Sequence, residues 1–216
     1  IVLLQLLDPG ARVSVANLVL AQNMKNGSPA FGEIGVKLHN VVFNQVWRRY
    51  GIPTVCSSCG PTSSKKIDFQ TGYQKMMPTL LSAISGSSVL QLYSSIYGEI
   101  TAHPLQAILD DDIAAMIGRF VEGVDAGDEA LAIGLINEIG PIPGHYLGKA
   151  HTRKWWKKDQ LEPESADRLT YPEWSKSGKK DCIDYAKEKM EKILAVHKTE
   201  PILTEGQESD IENILK

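Results

Sequence analysis

Three loops hold most of the residues in this chain whose types could serve a site. The first, 23–32, carries Lys25, Gly27, Phe31 and Gly32. The second, 57–66, carries Ser57, Cys59, Gly60, Lys65 and Lys66, with Cys56 just ahead of it. The third, 93–101, carries Tyr93, Tyr97, Gly98 and Glu99. An aromatic face attracts a cation through the ring quadrupole, by roughly 0.5–2 kcal/mol depending on desolvation. Phe31, Tyr93 and Tyr97 beside one carboxylate therefore have the composition of a pocket for a tertiary or quaternary ammonium ion. Glu99, between Gly98 and Ile100, could balance such a cation or act as a general acid. Plain alternatives stand beside these readings. The tyrosines equally cover the end of a sheet, and Glu99 equally sits in solvent.

Other constellations are weaker. Cys56-x-x-Cys59 has redox or zinc spacing, but the chain has no second cysteine pair and the run leads into Gly60-Pro61. Small residues at a strand end facing a pocket explain it better. His103, His145 and His151 match no metal-ligand spacing, so no metal site is assigned. Trp155-Trp156 lies among Arg153, Lys154, Lys157 and Lys158. Packing against the rest of the chain or a second copy is preferred there over nucleic acid. Asp110-Asp111-Asp112 reads as an acid cluster in the first turn of a helix.

The elements that position these loops follow from periodicity. Residues 13–20, 52–56 and 88–92 read as buried parallel strands. A helix over 33–50 has an apolar stripe of Ile34, Leu38, Val41, Val42 and Val46, and Gly51 closes it. A helix over 68–85 begins at the N-cap Asp68, carries Phe69, Tyr73, Met76, Met77, Leu80 and Ile84 on one face, and is kinked by Pro78. A third starts at Pro104 and aligns Leu105, Ile108, Leu109, Ile113, Met116, Ile117 and Phe120. These stripes are expected to face the sheet. One more helix spans 128–139. Beyond Gly140 the chain is helical or irregular and highly charged, with a long helix over 179–197 and a weaker one over 204–216. The buried side of the longer one is expected to be Cys182, Tyr185, Ala186, Met190, Ile193 and Leu194.

Strand–loop–helix units of this kind build a parallel sheet whose chemistry sits in the loops after the strands. The fold class is α/β: the C-terminal half of a (β/α)8 TIM-type barrel over 1–140, followed by a helical extension over 141–216. The apolar opening Ile1–Leu7, broken by Asp8-Pro9-Gly10, reads as a helix end and suggests the C-terminal piece of something longer. A net charge of −3 disfavours nucleic acid. Without an apolar run of membrane length or a secretory signal, the chain reads as soluble and cytoplasmic. Three cysteines in 216 residues do not form a disulfide framework.

Several motifs are familiar together. Asp8-Pro9-Gly10, Asn26-Gly27-Ser28-Pro29-Ala30-Phe31-Gly32, Asp68-Phe69-Gln70-Thr71-Gly72-Tyr73 and Leu109-Asp110-Asp111-Asp112-Ile113 come in that order. Gly144-His145-Tyr146-Leu147, His151-Thr152, Asp167-Arg168 and Tyr171-x-x-Trp174 follow. With these motifs the chain resembles the trimethylamine methyltransferase family, which includes glycine betaine:corrinoid methyltransferases. The resemblance implies a barrel about twice this length and activity only with the remainder of it. It implies methyl transfer from a methylated amine to the cobalt of a corrinoid (cobalamin) carried by a partner protein, with no cofactor bound directly. The partners implied are that corrinoid protein, the amine and a second copy of the chain, without nucleic acid or membrane.

In this family the trimethylamine branch uses pyrrolysine. No such residue is present in this sequence, so the resemblance points to a quaternary, betaine-type amine, with Cys56–Cys59 as the corresponding strand end. Under it Phe31, Tyr93 and Tyr97 would enclose the methyl groups, Glu99 would be the catalytic carboxylate, and Lys65 or Lys66 would hold a substrate carboxylate. Cys56, Ser57 and Cys59 would line the substrate. Gly27, Gly32, Gly60 and Gly98 would allow close approach of substrate or corrinoid. A betaine-binding module without turnover, or a dimerising half-barrel, remain the competing readings.

Overall fold

A computed structural model describes residues 1–56, 59–92, 94–98, 100–198 and 203–215. After a short α1 (Val2–Leu7) come β1 (Val15–Asn17), β2 (Ala21–Gln22), β3 (Pro29–Ala30), α2 (Ile34–Arg49), β4 (Thr54–Cys56) and α3 (Phe69–Ile84). Then follow β5 (Val89–Leu90), β6 (Ser95–Ile96), β7 (Thr101–Ala102) and α4 (Pro104–Glu122). The remaining helices are α5 (Asp128–Leu131), α6 (Ile133–Ile139), α7 (Ala150–Asp159), α8 (Tyr171–Lys176), α9 (Cys182–Val196) and α10 (Glu205–Leu215). Among the described residues no helix is long and apolar enough to cross a membrane.

The central sheet has the order β1-β4-β5, all parallel, with Val15 opposite Thr54 and Val55 opposite Val89. Helix α2 makes the first crossover and α3 the second. Neighbours in sequence are thus neighbours in the sheet. The expected strands are present but short. Leu18–Leu20 leave the sheet to reach a two-residue ladder, Ala21–Gln22 against Pro29–Ala30, inside the first loop. A second such ladder, Ser95–Ile96 against Thr101–Ala102, lies inside the third loop.

Local signals fix the helix ends. Gly51, at φ +69°, closes α2: its N–H reaches Arg48 O and the Ile52 N–H reaches Trp47 O, the paired bonds of a Schellman cap. Asp68 accepts the Thr71 N–H at 3.0 Å and starts α3. Pro104 opens α4 behind His103, whose Nδ1 accepts the Leu105 N–H. Helix α3 runs on through Pro78. The helix expected over 128–139 is broken at Ala132, which takes φ +50°. The break lets α5 and α6 each offer a carboxylate to α7: Glu129 to Lys154 and Glu138 to Lys149.

The expected apolar stripes of α2 and α3 are not what those helices bury, whereas on α4 Leu105, Ile108, Leu109 and Ile113 of the expected stripe are half-buried. On α2, Leu38 is 67% exposed and Ile34, Val42 and Val46 are also exposed, while Lys37, Asn40 and Asn44 are buried. On α3, Phe69, Tyr73, Met77 and Ile84 are exposed, and Thr71, Gln74, Lys75, Thr79 and Ser82 are buried. On α4, Ile117 is buried and Met116 and Phe120 are exposed, beside buried Gln106, Asp110 and Asp112. Most polar groups of the covered seam find partners, although Thr54 Oγ1 and Gln106 Oε1 are buried without one among the described residues. Asn17 donates to Asn40 at 2.9 Å, and Asn44 donates to the Ser85 hydroxyl at 2.7 Å. Burying a polar group is costly unless it is paired in this way.

The later helices return to the sheet layer through α4. Asp112 is buried and accepts the N–H groups of Glu164 and Ser165 at 2.9 Å, and the Ser165 hydroxyl as well. Lys189 of α9 reaches Asp111 and Glu164. Only the middle of the expected α9 stripe is covered: Ala186 is fully buried and Tyr185 and Met190 half-buried, while Cys182, Ile193 and Leu194 are exposed. Trp155 is buried and stacks on His151 of its own helix at a ring separation of 5.8 Å, while Trp156 is exposed.

Candidate functional site

The three strands point their C-terminal ends, Asn17, Cys56 and Leu90, toward one rim. Hydrogen bonds join the loops that leave it. The Phe31 N–H donates to the Ser63 hydroxyl at 2.9 Å, and that hydroxyl donates back to Phe31 O at 3.1 Å, tying the first loop to the second. The Tyr97 N–H donates to Ser64 O and the Gly98 N–H to Thr62 O, each at 2.6 Å, tying the third loop to the second. Gln74 of α3 braces the arrangement from below. Its Oε1 accepts from the Thr62 hydroxyl at 2.7 Å and from the Ser63 N–H at 3.0 Å.

Two glycines explain how the loops come so close. A Cβ on Gly98, which holds φ +72°, would lie 2.5 Å from Phe31 Cε2. A Cβ on Gly32, at φ +77°, would lie 2.6 Å from Gln74 Cγ. The space beside both is filled by the protein itself: Gly98 lets the third loop pack on the first, and Gly32 lets the first loop pack on α3. Gly27 has a different place, at φ +74° in the exposed turn between β2 and β3. Gly60 is buried in the second loop.

At the rim, Lys65 Nζ stands over the Tyr97 ring, 5.2 Å from its centroid, and donates to Ser63 O at 2.8 Å. Tyr97 is 48% exposed and Phe31 half-buried. Phe31, Lys65, Tyr97 and Gly98 are therefore brought together. Tyr93, Glu99 and Ser57 lie outside the described residues. Lys66 is exposed, and its carbonyl accepts the Thr71 hydroxyl at the start of α3.

Cys56 and Cys59 take another direction. Both are buried. Cys56 Sγ receives Asn40 Nδ2 from α2 at 3.7 Å and lies 3.2 Å from the Ser82 hydroxyl of α3. The side chain of Cys56 thus points into the layer between sheet and helices, on the opposite side of the strand from Val55. The Cys59 thiol is pushed far up from its ordinary range, first by its hydrogen bond with Cys56 and then by burial. Burial also pushes down the Lys37 ammonium beside them, an effect the two sulfurs oppose. The two cysteines expected to line the substrate are both buried in the structure.

Sequence reasoning missed the side chains that hold the loops. Gln74 and Lys75 belong to a second, polar helical stripe at 71, 74, 75, 79 and 82, which the stronger apolar stripe obscured. The three aspartates also differ from their expected role. Helix α4 begins at Pro104, so they sit beyond its first turn and point three ways. Asp110 pairs with Lys75 at 2.9 Å, Asp111 faces Lys189 and Asp112 holds the 164–165 loop. His103 is a helix cap, and His151 bonds Glu129 O at 2.8 Å.

A parallel sheet with helical crossovers, and an aromatic, lysine-bearing loop cluster at its C-terminal rim, makes this an α/β protein. The chain belongs to the trimethylamine methyltransferase family, whose model matches residues 1–215. It is 30% identical over 203 residues, 94% of the chain, to trimethylamine methyltransferase MttB of Methanosarcina barkeri. It is 30% identical over 194 residues, 89% of the chain, to glycine betaine methyltransferase of Desulfitobacterium hafniense. In both cases the match spans 40% of the relative's length.

Proposed function

We propose that the loop cluster is the amine-binding part of an enzyme that moves a methyl group from a methylated amine to the cobalt of a corrinoid carried by a partner protein. The observation that carries this reading is the Lys65 ammonium 5.2 Å over the half-open Tyr97 ring. The rim already offers an aromatic face to a cation. The family and the printed names of its relatives, a trimethylamine and a glycine betaine methyltransferase, support the same substrate class.

In this reading Phe31 and Tyr97, joined by Tyr93, enclose the methyl groups, and Glu99 balances the charge. Lys65 leaves the Tyr97 face to meet a carboxylate on a betaine-type substrate. A quaternary ammonium leaves as a neutral tertiary amine, so no proton donor is required of the loops. When docked, the partner's corrinoid supplies the cobalt(I) nucleophile. Lys65 and Tyr97 stand exposed on the rim, where a group brought by a partner would meet the amine. The sheet itself would be one arc of a β/α barrel. Parallel sheets are normally covered on both faces. Here Cys56 and Thr54 meet helices, while Ala16 and Val89 on the other face are exposed, as the lining of a barrel interior would be before closure.

Titration calorimetry with tetramethylammonium and with glycine betaine tests the site in the full-length protein. Tyr97→Ala should weaken binding by roughly 0.5–2 kcal/mol, the worth of one cation–π contact. Unchanged binding removes Tyr97 from the site. Methyl transfer to a cobalt(I) corrinoid protein then separates an enzyme from a module that binds betaine without turnover.

A further inference from the structure

Among its described residues the third loop carries two non-glycine residues in the left-handed region, Ser94 and Tyr97, both at φ 52°. Such backbone persists only where the surroundings over-determine it. At Tyr97 the determinant is the Ser64 carbonyl that takes its N–H. At Ser94 it is Asp110. The Asp110 Oδ2 accepts the Ser94 N–H at 2.9 Å and the Lys75 ammonium at 2.9 Å, and its Oδ1 accepts Gln106 Nε2 at 2.8 Å. The Ser94 carbonyl accepts the His103 N–H at 2.9 Å, so both backbone groups of this residue are held.

Lys75 has no exposed surface and the Asp110 side chain almost none. Replacing a buried ion pair by apolar groups is often neutral or stabilising, so stability alone does not account for this one. Its placement does. Gln74 and Lys75 are consecutive on α3. One braces the second loop at Thr62, against which Gly98 rests, and the other holds the carboxylate that pins Ser94. A single turn of α3 thereby fixes both flanks of the segment that presents Tyr97.

We infer that Lys75 and Asp110 are positioning residues for the amine site, acting through the Ser94 amide to set where the Tyr97 ring stands. The inference rests on the reading of Tyr97 as part of that site. Two double variants of the full-length protein test it. Lys75→Met with Asp110→Leu removes both charges and the acceptor for Ser94. Lys75→Met with Asp110→Asn removes both charges and keeps an acceptor oxygen. Hydrogen exchange at the Ser94 amide and tetramethylammonium affinity are read in each.

The leucine variant should lose Ser94 protection while amides within α3 stay protected, and its affinity should fall by roughly two- to thirty-fold. The asparagine variant should recover most of both. Wild-type Ser94 protection and affinity in the leucine variant would overturn the inference, as would an asparagine variant no better than it. If the leucine variant does not fold, wild-type protection in the asparagine variant supports the inference and lost protection overturns it. If the wild-type protein binds no tetramethylammonium, the reading of Tyr97 fails, and Ser94 protection still decides whether the pair positions the loop.

Discussion

Between α3 and α4, Lys75 and Asp110 meet at 2.9 Å with side-chain exposures of 0% and 5%; between α6 and α7, Lys149 and Glu138 meet at 3.4 Å with exposures of 40% and 69%. The first pair belongs to a network that ends on the backbone of a site loop. The second belongs to a set of surface pairs: Lys158–Asp125 and Lys154–Glu129 join parts of the 125–159 region to one another, as Lys149–Glu138 does, and Arg119–Asp159 joins that region to α4. Water sets the difference. A buried charge has lost its solvent and depends wholly on its partner. An exposed one exchanges its partner for water at little cost. The same residue types therefore act as a fixed reference in one region and as adjustable fastening in the other.

Breaking the buried pair on one side gives the largest expected effect. Lys75→Met alone leaves Asp110 buried without its cation and should destabilise the protein by roughly 3–5 kcal/mol in denaturant unfolding. A loss below about 1 kcal/mol would show that the pair is solvated and would erase the contrast. Gly98→Ala should follow. The new methyl group meets Phe31, and alanine must hold φ +72°. Together these should cost about 1–3 kcal/mol and weaken ammonium binding. Lys149→Ala on the surface should change stability by no more than roughly 1 kcal/mol, and added salt should shrink even that.

The last prediction concerns Asp68, whose carboxyl is held below its ordinary value of 3.8, chiefly by the Thr71 N–H, against the opposing effect of desolvation and with smaller help from the Ser64 hydroxyl and Lys66. A depressed folded value means that the carboxylate contributes its full stabilisation above 3.8. That stabilisation is lost as pH falls through the depressed value. Acidification in this window should speed amide exchange in the first turn of α3, with less effect in Asp68→Asn. Equal responses in the two proteins would remove Asp68 as the cause.

Much of the scaffold was legible. Asp68, Gly51 and Pro104 act locally, within one turn of their own position, so their roles as helix punctuation follow from residue type. The parallel order β1-β4-β5 follows from strands separated by helical crossovers. Which face each helix buries was not legible. Periodicity reveals that α2 has an apolar stripe at 34, 38, 42 and 46. It also has a polar one at 37, 40 and 44, and transfer energies favour covering the first. The outcome depended on whether the second would find partners, and Asn17, Cys56 and Ser85 come from distant parts of the sequence. The inward placement of Cys56 was hidden for the same reason. A strand of three residues alternates sides, but nothing in its sequence says which side the helices take.

The sequence by itself determined the three sheet strands and the helices between and after them, the caps at Gly51, Asp68 and Pro104, the three loops that carry Phe31, Lys65 and Tyr97, and the family. These depend on backbone preferences and short-range spacing. Only the tertiary structure decided that Phe31 rests on Gly98, that Lys65 stands over Tyr97, and that Lys75 and Asp110 hold Ser94. Each of these is a contact between residues 16 or more apart in the chain. Hydrogen bonds and close packing reward such contacts only once the chain has folded, and no local propensity records them.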